Sequence, residues 1–227
     1  MPTLVIANKL YSSWSLRPWL LMKELGLAFN EVVLPLGTEE FRREIQRYSP
    51  AGKVPVLIDR DATVWESLAI MDYVSETLAA DRVWPRERSA RAQARSIAAE
   101  MHAGFAALRQ ACPMNLGRKY AYRDRGEAVA RDVARIQSIF TETRRRFGKD
   151  GPFLFGQFSA ADAMFAPVAT RFDTYSIPLD PVSADYRDAI LGLPSFREWR
   201  EAALQETWVI DSDEIDETPM VDFRKAA

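Results

Sequence analysis

The spacing of apolar residues divides the chain into two parts with different patterns. In the first part, short apolar runs of strand length alternate with stretches in which apolar residues recur every three or four positions. The expected strands cover residues 4–7, 29–34, 56–58 and 63–65, and the expected helices cover residues 16–25, 38–47 and 66–78. Turn-forming residues separate the last two strands, which are therefore predicted to form a hairpin. The predicted order is strand–helix–strand followed by strand–strand–helix.

Beyond residue 88 only the helical period remains. The expected helices cover residues 90–108 and 129–147, a stretch that follows Ser159, and two shorter stretches at 184–191 and 195–204. Residues 79–88, which contain Pro85 and alternating charges, are interpreted as a linker. The two patterns together predict an α/β domain over residues 1–80 and an all-helical domain over residues 86–227. Its last residues, 207–227, have no clear period and are expected to form a tail, either packed on the surface or partly mobile.

The helix that follows Ser159 is predicted to lie at the centre of the helical domain. It is apolar on several faces, which is typical of a helix that is buried on all sides. Ser159 and Asp162 have the spacing of a capping box, in which two side chains satisfy backbone groups at the start of a helix. Pro167 is expected to kink this helix, because it lacks a backbone N–H.

The charge balance and the rarest residues narrow the function. Thirty basic and 32 acidic residues leave a net charge of −2, so no overall field would attract nucleic acid or a membrane surface. The single cysteine, Cys112, excludes an internal disulfide, and the single histidine, His102, argues against a histidine-based metal site or catalytic triad. Both are interpreted as packing residues. Neither a signal peptide nor a membrane span is predicted, so we expect a cytoplasmic protein that holds no metal.

Three serines stand where the first strand gives way to the first helix. Ser12, Ser13 and Ser15 precede or begin the helical pattern. The N-terminus of a helix has unpaired N–H groups and a positive dipole end, so hydroxyls there suit an anion such as a thiolate. Serines in this position also cap helices very often. The sequence leaves both interpretations open.

Two further junctions carry candidate binding residues. Pro55 stands at the mouth of a predicted strand, where a cis Val54–Pro55 bond would leave the backbone of Val54 free to pair with a ligand. An ordinary trans proline at a strand start is the alternative. Glu66 and Ser67 open the next helix, where a carboxylate and a hydroxyl suit either the helix dipole or a ligand's ammonium and carboxylate groups.

These features occur in an order that resembles the cytosolic glutathione transferase family. The resemblance rests on the serine-rich turn, Lys53-Val54-Pro55-Val56-Leu57, Trp65-Glu66-Ser67-Leu68-Ala69-Ile70, and Phe153-Leu154-Phe155-Gly156 before Ser159-Ala160-Ala161-Asp162. It extends from about residue 4 to residue 204. It implies a thioredoxin-like N-terminal domain, a helical-bundle C-terminal domain, glutathione bound along the first, and an electrophile in the cleft between them. It also implies a homodimer.

The resemblance assigns roles to particular residues. Val54 would pair its backbone with the cysteinyl part of glutathione, before a cis Pro55. Glu66 and Ser67 would hold the γ-glutamyl end, and Lys53 would lie near the glycine carboxylate. Glutathione would act as cosubstrate, and no other cofactor is implied.

The turn itself is similar to the Ser-Ser-Cys-x-x-Arg motif of zeta-class members, which include maleylacetoacetate isomerases. Aligning Arg17 with the arginine of that motif makes Ser12 the hydroxyl that stabilises the thiolate and Ser13 the neighbour most able to replace it. Trp14 stands in place of the motif's cysteine, so only the superfamily is assigned. Tyr11 precedes the turn and is a weaker candidate.

The resulting hypothesis is a glutathione transferase of the detoxifying type, in which a thiolate attacks a small hydrophobic electrophile. A free thiol with a pKa of ~8.5 is only a few per cent ionised near neutral pH. Each unit of pKa depression requires about 1.4 kcal/mol. A hydroxyl hydrogen bond to the anion supplies ~1.5–3 kcal/mol. The alternatives are a glutathione-dependent isomerase or dehalogenase and a non-catalytic binding or assembly module.

Overall fold

The first strand lies in the middle of a four-stranded mixed sheet in this computed structural model, which describes residues 1–224. β1 (Thr3–Ala7) pairs in parallel with β2 (Asn30–Leu34) and antiparallel with β3 (Val56–Asp59). β4 (Ala62–Trp65) completes the sheet as the antiparallel hairpin partner of β3, in the order β2-β1-β3-β4. The predicted succession of strands and helices along the chain and the predicted hairpin are both present.

Both faces of β1 are covered, which explains why it reads as an unbroken apolar run. Leu4 and Ile6 point into the large core that the sheet shares with the helices. Val5 and Ala7 point to the opposite face, into a smaller cluster beneath α2 (Glu39–Ile45).

α1 (Ser13–Glu24) begins three residues before the predicted start. Pro18 therefore lies in the interior of the helix, whereas the predicted start at residue 16 would place it in the first turn. Its missing N–H leaves the Trp14 carbonyl without the usual bond from four residues on. The remaining helix of this part is α3 (Ser67–Tyr73), which continues as a π-helical turn over Val74–Leu78.

The second part of the chain is helical, as predicted. Its helices are α4 (Arg88–Ala103), α5 (Ala106–Ala111), α6 (Glu127–Phe147), α7 (Ala160–Thr174), α8 (Pro181–Leu191) and α9 (Pro194–Ala203). One predicted helix is wrong, because the helix expected over residues 90–108 is divided into α4 and α5. Gly104 ends α4, and Phe105 adopts a left-handed conformation with φ of 57° before α5 starts. The apolar period runs through this break unchanged, so periodicity alone does not reveal it.

The predicted central helix is α7. Every residue of α7 except Asp173 is buried, and the helix packs against α1, α4 and α8. The predicted capping box is present: the Asp162 carboxylate accepts hydrogen bonds from the Ser159 N–H at 2.9 Å and the Leu154 N–H at 3.0 Å. The contact between α7 and α1 joins the helical part to the turn that follows β1.

The C-terminal segment packs back against the helical part of the chain. β5 (Arg118–Lys119) pairs antiparallel with β6 (Val221–Asp222), and Glu214 lies within 3.1 Å of Arg118 and Arg224. The tail is thus packed on the surface over its described length. Residues 225–227, which end the predicted tail and the predicted helical domain, lie outside the described residues. No helix within residues 1–224 is long and apolar enough to span a membrane.

Candidate active site

The turn after β1 is held by hydroxyl groups. Ser12 occupies the N-cap position of α1, but its side chain accepts no hydrogen bond from the helix. Its Oγ instead donates to Ser15 Oγ at 2.8 Å, and Ser15 Oγ also accepts from the Ala7 N–H at 3.0 Å. Ser15 therefore ties the turn to the end of β1. The capping interpretation does not describe the Ser12 side chain in this structure.

Ser13 has a different partner. Its Oγ accepts a hydrogen bond from Nη2 of Arg171 at 3.4 Å. The same guanidinium donates to the carbonyls of Cys112 at 2.8 Å and Pro167 at 3.0 Å, so two backbone groups fix its position. Because Arg171 can only donate, the proton of the Ser13 hydroxyl remains available to another acceptor.

Ser12 and Ser13 lie on the wall of a cavity of about 320 Å³, here called the serine cavity. Its polar wall also includes Arg109, Arg171 and Asp213. Its apolar wall comes from Trp14, Leu36, Ala106, Pro113 and Met114. The cavity lies between the first turn of α1 and residues of the helical part, as a cleft between two domains would.

A second cavity of about 360 Å³, here called the proline cavity, holds most of the predicted binding residues. Lys53, Val54, Pro55 and Glu66 lie on its wall. The Val54–Pro55 peptide bond is cis. Neither the N–H nor the carbonyl of Val54 makes a backbone hydrogen bond among residues 1–224. The backbone of Val54 is thus free to pair with a ligand.

Ser67 lies behind this wall. It is the first residue of α3, it is fully buried, and its Oγ contacts the sulfur of Met164 at 4.0 Å. Glu66 precedes it with a positive φ of 69°, and the Glu66 carboxylate is half exposed. The structure therefore brings Lys53, Val54, Pro55 and Glu66 together at one cavity and places Ser67 at its rear.

Trp14 separates the two cavities and contributes to both. The guanidinium groups of Arg17 and Arg109 lie over its ring, 4.0 Å and 4.7 Å from the centroid. The ring of His102 meets it edge-on at 5.2 Å. Arg109 is also shared by the two cavities. The position that departs from the zeta motif is thus an internal wall of the site.

The helical part supplies site residues that sequence reasoning missed. His102 was interpreted as a packing residue, yet it lines the proline cavity with Nε2 3.6 Å from Glu66 Oε2. Burial lowers the pKa of His102, which favours the neutral ring. Arg109 is brought to the cavities by the break before α5. Arg171 could have been recognised from the sequence, because a lone arginine in an otherwise apolar helix must find a buried partner.

Tyr11 also lines the serine cavity, but its hydroxyl already has a partner. Its hydroxyl donates to Glu214 Oε1 at 2.6 Å and is almost fully buried. Burial and the neighbouring carboxylate raise the pKa of Tyr11. The Tyr11 hydroxyl is therefore a poor group for stabilising a thiolate, in agreement with its lower rank among the sequence candidates.

Two family models match the chain. The model for the N-terminal domain of glutathione S-transferase matches residues 11–77, and the model for the C-terminal domain matches residues 126–202. The chain belongs to the glutathione S-transferase family. The predicted family and the predicted thioredoxin-like and helical architecture are confirmed.

Relatives within this family have different names. The chain is 26% identical to maleylacetoacetate isomerase of Rattus norvegicus over 192 residues, which cover 82% of this chain and 85% of that protein. It is 40% identical to dichloromethane dehalogenase of Methylophilus leisingeri over 68 residues, which cover 28% of this chain. The match spans only 24% of that dehalogenase.

Solved structures agree on the fold. A glutathione transferase homolog from Burkholderia GL BGR1 with bound glutathione superposes with a TM-score of 0.64 at 22% identity. The superposition covers 89% of this chain and 97% of that one. At this identity the likeness extends to the fold, and the individual site residues stay predictions.

Proposed function

We propose that this protein is a glutathione transferase that binds glutathione in the proline cavity and an electrophile in the serine cavity. The observation that carries the proposal is the adjacency of the two cavities at Trp14, with Ser12 and Ser13 on the electrophile side. A thiol that extends from the proline cavity past Trp14 would meet hydroxyls at the N-terminus of α1. The bound glutathione in the Burkholderia homolog supports this choice of cosubstrate.

The glutathione would lie as the family resemblance implies. The free N–H and carbonyl of Val54 would pair with the cysteinyl backbone, and Lys53 would attract the glycine carboxylate. The Glu66 carboxylate would bind the γ-glutamyl ammonium. Ser67, as the first residue of α3, has a backbone N–H with no intrahelical acceptor and would bind the γ-glutamyl carboxylate.

The reaction would proceed through a thiolate. The bound thiol gives its proton to water, its sulfur forms a bond to the electrophilic carbon, and a leaving group departs or a double bond accepts the electron pair. Ser13 can donate to the thiolate directly, whereas Ser12 must first turn away from Ser15. One such bond supplies ~1.5–3 kcal/mol and the dipole of α1 about 0.5–1 kcal/mol. Together they lower the thiol pKa by about 1.5 to 3 units.

The function is tested by glutathione binding and by turnover of a general electrophile such as 1-chloro-2,4-dinitrobenzene. We expect heat of binding at millimolar glutathione and conjugate formation above the uncatalysed rate. Glu66→Gln should weaken glutathione binding about tenfold, because it removes the charge that meets the ammonium group. Glu198→Gln, an exposed ion-pair residue of α9, is the matched control. Absence of any binding heat in the wild-type protein would favour a non-catalytic binding or assembly module.

Glutathione-dependent isomerisation is the second candidate. The rat relative named maleylacetoacetate isomerase covers most of the chain, and this match favours the candidate. In an isomerase the thiolate adds to a double bond and leaves again, so glutathione is not consumed. An assay that follows both glutathione loss and the cis–trans ratio of an unsaturated diketo acid separates the two reactions.

The family resemblance also supports a homodimer in the cytoplasm. Sedimentation equilibrium of the full chain measures the oligomeric state. A fluorescent fusion in the native cell shows the cellular location.

A further inference from the structure

Three arginines converge on the wall between the two cavities. Arg17 and Arg109 lie over the Trp14 ring, and Arg171 reaches Ser13 beside it. No carboxylate among residues 1–224 lies within 4.0 Å of any of the three guanidinium groups. The positive charge around the tryptophan therefore has no direct ion-pair partner.

Burial makes this arrangement costly. Arg17 and Arg171 are only 1% and 4% exposed. Nε and Nη1 of Arg17 are buried without a hydrogen-bond partner in the described structure. By contrast, the shielded residues Arg118 and Arg125 each meet a carboxylate, at 2.6 Å and 2.9 Å. A protein rarely buries cations unpaired, because the desolvation cost is large.

The arginines also oppose one another. Burial and the neighbouring guanidiniums lower the pKa of Arg17, and burial and Arg109 lower that of Arg171 to about 10. The acidic groups that face the cluster are Asp213, on the wall of the serine cavity, and Glu66, across Trp14 in the proline cavity. Glu66 is already committed to the proposed ammonium of glutathione. Asp213 alone then remains to balance Arg109 and Arg171 within the serine cavity.

We propose that the electrophile carries a carboxylate, which Arg109 and Arg171 bind in the serine cavity. This inference rests on the proposed transferase function and names the substrate class for its second cavity. A planar guanidinium pairs well with a carboxylate, and the pair gains strength where water is excluded. The apolar body of the same molecule packs against Trp14, Pro113 and Met114. Asp213 restricts the electrophile to one acidic group, because a second acidic group on the electrophile would lie against the Asp213 carboxylate.

The test uses two electrophiles of similar shape and different charge: 4-chloro-3-nitrobenzoate and 4-chloro-3-nitrobenzamide. Every rate is divided by the uncatalysed rate of the same compound with glutathione, because the amide group withdraws electrons more strongly than the carboxylate. The kcat/KM ratio of acid to amide is measured for the wild-type protein, for Arg109→Gln and for Arg145→Gln. Arg145 lies on the exposed face of α6, so its variant removes the same charge outside the cavities. We expect the ratio to fall about tenfold in Arg109→Gln and to stay unchanged in Arg145→Gln. Asp213→Asn should raise the ratio.

Binding of the two product conjugates by calorimetry gives a readout that does not need turnover. The acid conjugate should bind the wild-type protein about tenfold more tightly than the amide conjugate, and this preference should vanish in Arg109→Gln. Arg171→Lys keeps a positive charge at the other proposed carboxylate ligand, and it replaces Arg109→Gln in this comparison if that variant does not fold. Equal preferences in wild-type protein and Arg109→Gln would overturn the proposal.

A different outcome would show that the arginines bind glutathione and not the electrophile. If Arg109→Gln weakens glutathione itself tenfold and leaves the acid-to-amide preference unchanged, the arginines serve the carboxylates of glutathione, and the proposal is wrong. If the wild-type protein binds glutathione and conjugates the amide as fast as the acid, the transferase function stands and the substrate class fails. If it binds neither glutathione nor either conjugate, both fail.

Discussion

Nη2 of Arg171 lies 3.4 Å from the Oγ of Ser13, and this contact joins the central helix of the helical part to the first turn of α1. The guanidinium is held in place by the carbonyls of Cys112 and Pro167, so it presents a fixed positive charge to the hydroxyl. A hydroxyl that accepts such a bond becomes a better donor through its own proton. Arg171 is thus a positioning residue for Ser13.

This arrangement predicts that Arg171→Met raises the pKa of the glutathione thiol in the complex by about one unit, the equivalent of one charge-assisted hydrogen bond. The activity profile should then shift toward alkaline pH, because less thiolate is present at a given pH. The ultraviolet absorbance of the bound thiolate, followed through a pH titration, measures this shift directly. The same change introduced into Ser13→Ala should have little further effect. Additive effects would show that the charge of Arg171 acts on the sulfur without Ser13.

The two serines are predicted to differ. Ser13→Ala should lower kcat about 100-fold, a typical cost of losing one donor to a developing anion. It should change glutathione affinity little, since the other glutathione contacts would be spread over Val54 and Glu66. Ser12→Ala should cost less, because its hydroxyl is engaged with Ser15. Steady-state kinetics and calorimetry of both variants decide the point. A larger loss in Ser12→Ala would restore the register implied by the zeta motif.

The fold was predictable because its signals are local. β1 reads as a continuous apolar run because both of its faces are covered, and α7 reads as apolar on several faces because it is central. The cavity formed around Val54 and Pro55 was likewise signalled by a proline at a strand mouth. Each of these features is determined by residues that stand next to one another in the chain.

The other half of the site could not be predicted in this way. Arg109 is brought to the cavities by a break at Gly104 and Phe105 that leaves the apolar period intact. His102 lies beside the apolar face of α4, so the sequence alone indicates a packing residue. Its place in the proline cavity depends on the contact between the two parts of the chain. Asp213 comes from a segment without any period. These residues converge only through tertiary contacts, which a single sequence does not encode locally.

Cys112 provides a prediction about pH. Burial raises the pKa of its thiol to about 11. Since the thiolate is the reactive form, iodoacetamide should label the native protein at about pH 8 several hundred-fold more slowly than the protein in urea. The raised value also means that this thiol stabilises the fold below about pH 8.5, its ordinary pKa, and that this contribution is lost as the pH rises through 11. Mass spectrometry after timed labelling measures the rates, and rapid native labelling would contradict the burial.

Glu214 ties the C-terminal segment to the site. Its carboxylate accepts from the Tyr11 hydroxyl at 2.6 Å and meets Arg118 and Arg224 at 2.6 Å and 3.1 Å. Glu214→Ala would leave a buried hydroxyl and two shielded cations without this partner. We therefore expect the free energy of unfolding in urea to fall by about 2–4 kcal/mol. Glu198→Ala breaks an exposed pair with Lys23 and should cost under about 0.5 kcal/mol.

The loss should be concentrated in the tail. β6 adds only two residues to the ribbon with β5, so the segment depends on two shielded polar anchors, the Glu214 cluster and the pair that Glu217 forms with Arg125 at 2.9 Å. Limited proteolysis of Glu214→Ala should cleave after residue 206 faster than in the wild-type protein, while the sheet and α7 stay protected. Because Asp213 lies on the wall of the serine cavity, release of the tail should also remove that carboxylate from the arginine pair. The acid-to-amide preference should then rise in Glu214→Ala, and an unchanged preference together with rapid tail cleavage would contradict the place given to Asp213.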